Sequence, residues 1–161
     1  MTLFNIILVW IHLVAATFWV GGMLFLSLVA VPLLKIDPDP PSAQSRFVNI
    51  ARRFRAFVWG ALCFLVVTGT GLLGNVVNFS APVSSWPPVV ITKLTLVLML
   101  VVVSLIHDRV FGPKVQTLKQ KVPSELSGGE TLILRFSPLL GRLTLLLGLG
   151  VLLAAVVMVR S

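Results

Sequence analysis

The sequence predicts an all-α fold, a four-transmembrane-helix bundle of up-down-up-down topology forming one domain over residues 1–161. Three observations predict it. First, 57% of the 161 residues are hydrophobic and only 11% are charged, with a mean hydropathy of +1.04. A water-soluble domain carries nearer a quarter charged residues, and so few charges cannot cover the surface of a chain this size. Second, four apolar stretches each reach the roughly 20 helical residues that cross a hydrocarbon core of about 30 Å. Third, the 13 Lys and Arg gather in two of the connections rather than along the whole chain. A soluble enzyme and a disordered chain are excluded, and with Cys63 as the single cysteine so is a disulfide scaffold.

The first span runs from about Leu3 to Leu34, with His12 as its one potentially ionisable residue. No Lys or Arg precedes it, so the basic n-region of a secretory signal is missing and a retained span is expected. Asp37-Pro-Asp-Pro-Pro41 ends it, because proline cannot continue the hydrogen-bond ladder. The second span covers about Phe54 to Val77, and Ala81-Pro-Val-Ser-Ser-Trp-Pro-Pro88 connects it to the third, about Val89 to Phe111. Pro123 to Gly129 breaks the chain before the fourth span, about Leu139 to Val159. No sequence repeat and no separate soluble domain is visible.

Charge sets the expected orientation. Lys35, Arg46, Arg52, Arg53 and Arg55 lie at the first connection; Arg109, Lys114, Lys119, Lys121, Arg135 and Arg142 lie at the third. Only Arg160 and Lys93 fall on the other side. Basic connections stay in the cytoplasm, which places both termini outside and Trp86 in the outer interfacial belt. The net charge of +8 is thus a topology signal, with some attraction to anionic headgroups, and not a nucleic-acid footprint.

Ionisable groups within a bilayer are rare and are functional candidates by default. His12 lies about 14 Å below the outer end of its helix, and Lys93 about 6 Å below the outer end of its own, at 1.5 Å per residue. Trp19 is two turns on from His12 and shares its face, with Ala15 and Ala16 between and Gly21-Gly22 after. Small residues beside an imidazole leave room for a flat ligand or for a close helix. On the residues alone, His12 reads either as a bundle histidine bonded to another helix or as a cofactor ligand. Lys93 reads either as a snorkelling cation or as the partner of an anionic group such as a propionate or a substrate carboxylate. Thr68-Gly-Thr-Gly71 supplies hydroxyls and close backbone approach at the outer end of the second span.

His107 and Asp108 sit at the inner end of the third span, as a proton-relay or metal-binding pair or as an interfacial cluster facing water. His107 is about 21 Å deeper than Lys93, too far from His12 for the two histidines to clamp one ion. Arg135 and Arg142 share a face, and Asp108 is the expected partner of either. Copper(I) prefers thiolate and thioether ligands. Cys63, Met1, Met23, Met99 and Met158 supply sulfur, without a C-x-x-C or M-x-x-M spacing, and a dedicated copper path would carry more.

Trp10-x-His12, Phe18-Trp-Val-Gly-Gly22-Met-Leu-Phe25 and Val31-Pro32 resemble the opening helix of CopD-like small membrane proteins. Arg52-Arg-Phe54, Thr68-Gly-Thr-Gly71, Lys93-Leu-Thr-Leu-Val97, His107-Asp108 with Gly112-Pro113, and Gly141-Arg-Leu with Leu145-Leu-Leu-Gly148 extend the similarity over nearly the whole chain. The first and third helices are also similar to those of HemJ-type protoporphyrinogen oxidases. The CopD resemblance implies copper handling. The HemJ similarity implies a b-type haem in a four-helix membrane bundle, with His12 and Lys93 at that family's His and Lys positions.

The resulting expectation is a haem b-binding protein that transfers electrons or performs haem-linked oxidation in the outer half of a bacterial inner membrane. His12 is expected to ligate the haem iron, with Trp19, Lys93 and Thr68 completing the cofactor site. A CopD-like copper transport or resistance protein is the first alternative, and a cofactor-free small subunit of a respiratory complex is the second. Expected partners are the lipid bilayer and a redox protein or quinone, with a second copy of the chain as a further candidate.

Overall fold

A computed structural model describes residues 2–36, 40–118 and 126–160, and among these the fold is all-α, with no strand. The helices are α1 (Leu3–Phe25), α2 (Val31–Ile36), α3 (Pro40–Leu73), α4 (Pro88–Ile106), α5 (Gly112–Leu118) and α6 (Gly128–Arg160), with a short 3-10 turn at Val83–Ser85. π-helical turns at Leu26–Ala30 and His107–Phe111 join α1 to α2 and α4 to α5. Four segments are long and apolar enough to cross a membrane: Leu3–Leu33, Val48–Leu73, Pro88–Leu118 and Gly128–Arg160. Most of their large side chains point outward, among them Phe4, Phe18, Phe57 and Phe64. Lipid is the solvent that such a surface requires. The chain is a multi-pass membrane protein.

Two compact units divide it, Met1–Trp86 and Pro87–Ser161. In the first, α1 packs along α3. Leu8 meets Gly71, His12 meets Thr68 and Gly69, and Gly22 meets Phe54. Numbers that rise on one helix fall on the other, so the hairpin is antiparallel. The seam on α1 is Leu8, His12, Ala15, Trp19 and Gly22, a four-three spacing that keeps one stripe facing its partner. Gly22 is where this seam is tightest, since a Cβ there would overlap the Phe54 ring.

The second unit is built alike. Leu96 of α4 lies 3.7 Å from where a Gly150 Cβ would stand, and Phe111 lies by the start of α6 against Phe136 and Leu143. This pair too is antiparallel. Val90 and Leu100 on α4, and Thr144, Leu147, Gly148 and Ala154 on α6, are its buried positions.

Each hairpin's first helix contains one π turn, with a proline just after it. The Val31 N–H reaches the Leu26 carbonyl, and the Gly112 N–H reaches that of His107, both five residues back. Pro32 and Pro113 follow immediately. Neither can bond the carbonyl four residues earlier, and each ring crowds that carbonyl. A widened turn accommodates the ring while the helix continues. The hairpins thus share a plan that the sequence does not show as a repeat.

The helices exceed the apolar spans at one end. α3 begins at Pro40, well before the expected Phe54, and α6 begins at Gly128 rather than Leu139. Prolines at the start of α3 lose nothing, because the first helical N–H groups have no partner. At α6 a capping box does the work: the Ser127 N–H donates to Glu130 Oε2 at 2.9 Å, and the Glu130 N–H donates to Ser127 Oγ at 3.3 Å. The expected breaks at Asp37–Pro41 and Pro123–Gly129 lie largely outside the described residues.

Candidate functional site

The first hairpin brings together two of the residues that the sequence singles out. His12 Nδ1 lies 2.7 Å from Thr68 Oγ1. Thr68 is only 3% exposed, and its hydroxyl donates to the Phe64 carbonyl one turn back. A hydroxyl has one hydrogen. With that hydrogen on Phe64, Oγ1 accepts from the His12 Nδ1–H. The neutral ring then carries its lone pair on Nε2, an assignment fixed by the hydrogen-bond pattern. Gly69 makes room for this arrangement, since a Cβ there would stand 3.3 Å from His12 Cε1. Gly71 does the same one layer toward the start of α1, where its Cβ would meet Leu8 at 3.0 Å.

Trp19 lies two turns along the same stripe and is 3% exposed. Its indole N–H is buried without a hydrogen-bond acceptor among the described residues. An unsatisfied donor at this depth is costly. Two donors of different status thus lie on one seam: the imidazole N–H is bonded and the indole N–H is not. Ala15, between them, is buried. The sequence pointed to His12, Trp19 and Thr68, and to close backbone approach along Thr68–Gly71; the structure identifies Gly69 as the glycine against the ring.

The other candidates lie in the second unit. Lys93 is partly buried, one turn into α4. His107 and Asp108 open the second π turn, with Nδ1 and Oδ1 3.5 Å apart and side-chain exposures of 33% and 18%. The expected pairing of Asp108 with Arg135 or Arg142 is not formed; among the described residues neither arginine has an ion pair. Both are exposed on α6, and the carboxylate is turned toward the neighbouring imidazole instead.

The described residues contain no cluster of three or more His, Cys, Asp or Glu able to hold a metal ion. Cys63 is exposed.

Fold and site define a helical multi-pass membrane protein with a hydroxyl-oriented imidazole inside its first hairpin. Among known proteins, the chain is 40% identical over 106 residues to an uncharacterized protein of Aquifex aeolicus, a match covering 65% of this chain and 68% of that one. The chain belongs to the same family as that protein. No family model and no solved structure matches it.

Proposed function

We propose that this protein binds haem b within the membrane, with His12 as axial ligand, and serves electron transfer or haem-linked oxidation. The observation that carries this reading is the Thr68-held tautomer, which presents Nε2 as the basic nitrogen. Histidines that ligate metals characteristically donate their other ring N–H to an oxygen, which fixes the ring and raises its basicity. The resemblance of the first and third helices to haem-binding membrane proteins supports the same reading. Bound haem supplies one-electron chemistry. The protein's own part is to aim the imidazole through Thr68, to keep the approach narrow through Gly69, and to offer at Trp19 a flat apolar face with an N–H. We further propose that the protein resides in a bacterial inner membrane with both termini on the periplasmic side, as its charge asymmetry directs.

An absorption spectrum of the purified protein tests the cofactor. A Soret band that His12→Ala abolishes or converts to high spin is the expected result. A wild-type protein that purifies colourless and stays so after haem supplementation overturns it. Copper by elemental analysis then favours the CopD-like reading, and neither cofactor favours a structural subunit. A reporter fused at Ser161 tests topology: periplasmic activity is expected, and cytoplasmic activity refutes the assignment.

A further inference from the structure

The second hairpin carries an open apolar groove of about 440 Å³ whose lining includes no residue of the haem reading. Phe111 lines it from the end of the π turn, and Phe136, Leu139, Leu140 and Leu143 line it from α6. Those four recur at i, i+3, i+4 and i+7, which is one face of a helix. Pro138 lies in the same stretch of α6, on the side of the helix turned away from that face. It withdraws the hydrogen bond that would reach the Leu134 carbonyl, and such positions are where helices bend.

Cations border the groove. Arg135 and Arg142 stand one turn to either side of Leu139, on the same edge of α6, and both are exposed. Neither has a carboxylate partner among the described residues. The nearest carboxylates by sequence are engaged elsewhere: Glu130 caps α6 and Asp108 lies against His107. Arg109, also exposed, adds a third cation two residues before Phe111. Guanidinium groups clasp phosphate through paired N–H donors, and basic pockets between membrane helices hold anionic headgroups.

We propose that this groove is a binding site for one anionic phospholipid, its acyl chain against Phe111, Leu140 and Leu143 and its phosphate between Arg135 and Arg142. A zwitterionic lipid fits the apolar part equally well but brings a cation toward the arginines. Charge therefore selects the occupant.

Native mass spectrometry of the full chain in detergent, with phosphatidylglycerol and phosphatidylcholine at equal concentration, tests this. Phosphatidylglycerol should be retained in preference by roughly thirtyfold, the scale that two interfacial arginines supply. Arg135→Gln with Arg142→Gln should remove the preference, while the double lysine variant keeps most of it. Leu143→Trp, which fills the groove and leaves the charges, should lower retention of phosphatidylglycerol. That variant decides the matter if the glutamine pair fails to fold. Equal retention of the two lipids by the wild type, or unchanged phosphatidylglycerol retention by Leu143→Trp, overturns the proposal. So does displacement of the lipid by inorganic phosphate, which would make this a site for the free anion.

Discussion

The first hairpin buries a threonine hydroxyl that serves two partners, whereas the second buries one that serves only its own backbone. Thr68 donates to Phe64 and accepts from His12 across the seam. Thr144 bonds the Leu140 carbonyl at 2.9 Å and reaches nothing on the facing helix. The same residue type at a buried position thus does different work. In one hairpin it orients an ionisable ring, and in the other it is a small packing residue whose hydroxyl satisfies itself. The histidines divide likewise. His12 is held by a neutral oxygen on another helix, and His107 lies beside a carboxylate on its own turn. A neutral oxygen fixes a tautomer without demanding a charge, which suits an imidazole on an apolar helix. The His–Asp pair needs the partial exposure that both of its members have.

The comparison can be broken most directly at the histidines. If His12 is the ligand, His12→Ala removes the chromophore and His107→Ala leaves it nearly intact, as read by absorption of the folded proteins. Loss of the band in His107→Ala would show that the division between the hairpins is wrong.

The next largest effect concerns close packing. Gly22→Leu forces a side chain into the Phe54 ring and should lower stability by about 2–3 kcal/mol, as followed by thermal unfolding in detergent. Gly141→Leu, with nothing within 4 Å of its Cβ position, should change it by less than about 0.5 kcal/mol. Pairing Gly22→Leu with Phe54→Ala should recover part of the loss, because the clash is mutual.

The smallest effect separates the threonines. Thr68→Val leaves the His12 N–H without its acceptor and should destabilise by about 1 kcal/mol, with Thr68→Ser restoring most of it. Thr144→Val should fall within about 0.5 kcal/mol of wild type. Equal losses at both positions would mean that the His12 contact contributes no more than packing.

Much of this architecture is legible in the residues, for uneven reasons. The four spans follow from hydropathy, a property of each segment alone, and they appear where expected. The helical extensions at Pro40 and Gly128 do not, because Arg46, Arg52 and Glu130 interrupt the apolar pattern while suiting a helix well. Pro32, Pro113 and Pro138 all lie within continuous helical structure, the first two just after a π turn. Of the candidate site, His12, Trp19 and Thr68 were each visible as unusual residues in apolar surroundings. The shared face of His12 and Trp19 was legible too, but the pairing with Thr68 was not. Pairing His12 with Thr68 requires the register of α1 on α3, and nothing in the motifs that contain Gly22 and Phe54 says that these two residues meet. The expected link from Asp108 to Arg135 or Arg142 failed for a related reason. Sequence placed those charges at one end of the molecule, but the π turn and a neighbouring imidazole decided where the carboxylate goes.

Those π turns bear on how the chain can change length. A five-residue turn holds one residue more than an α-helical turn needs. Leu26–Ala30 and His107–Phe111 are therefore places where the chain can lose one residue without rotating the helix beyond them. Deleting Val29 should convert its turn to ordinary helix and leave Val31 onward in phase with α1, at the cost of the Pro32 ring crowding the carbonyl that the wider turn clears. Deleting Val14 instead swings Ala15, Trp19 and Gly22 off the seam together. Single-residue gaps among this protein's relatives should therefore collect just ahead of the two prolines.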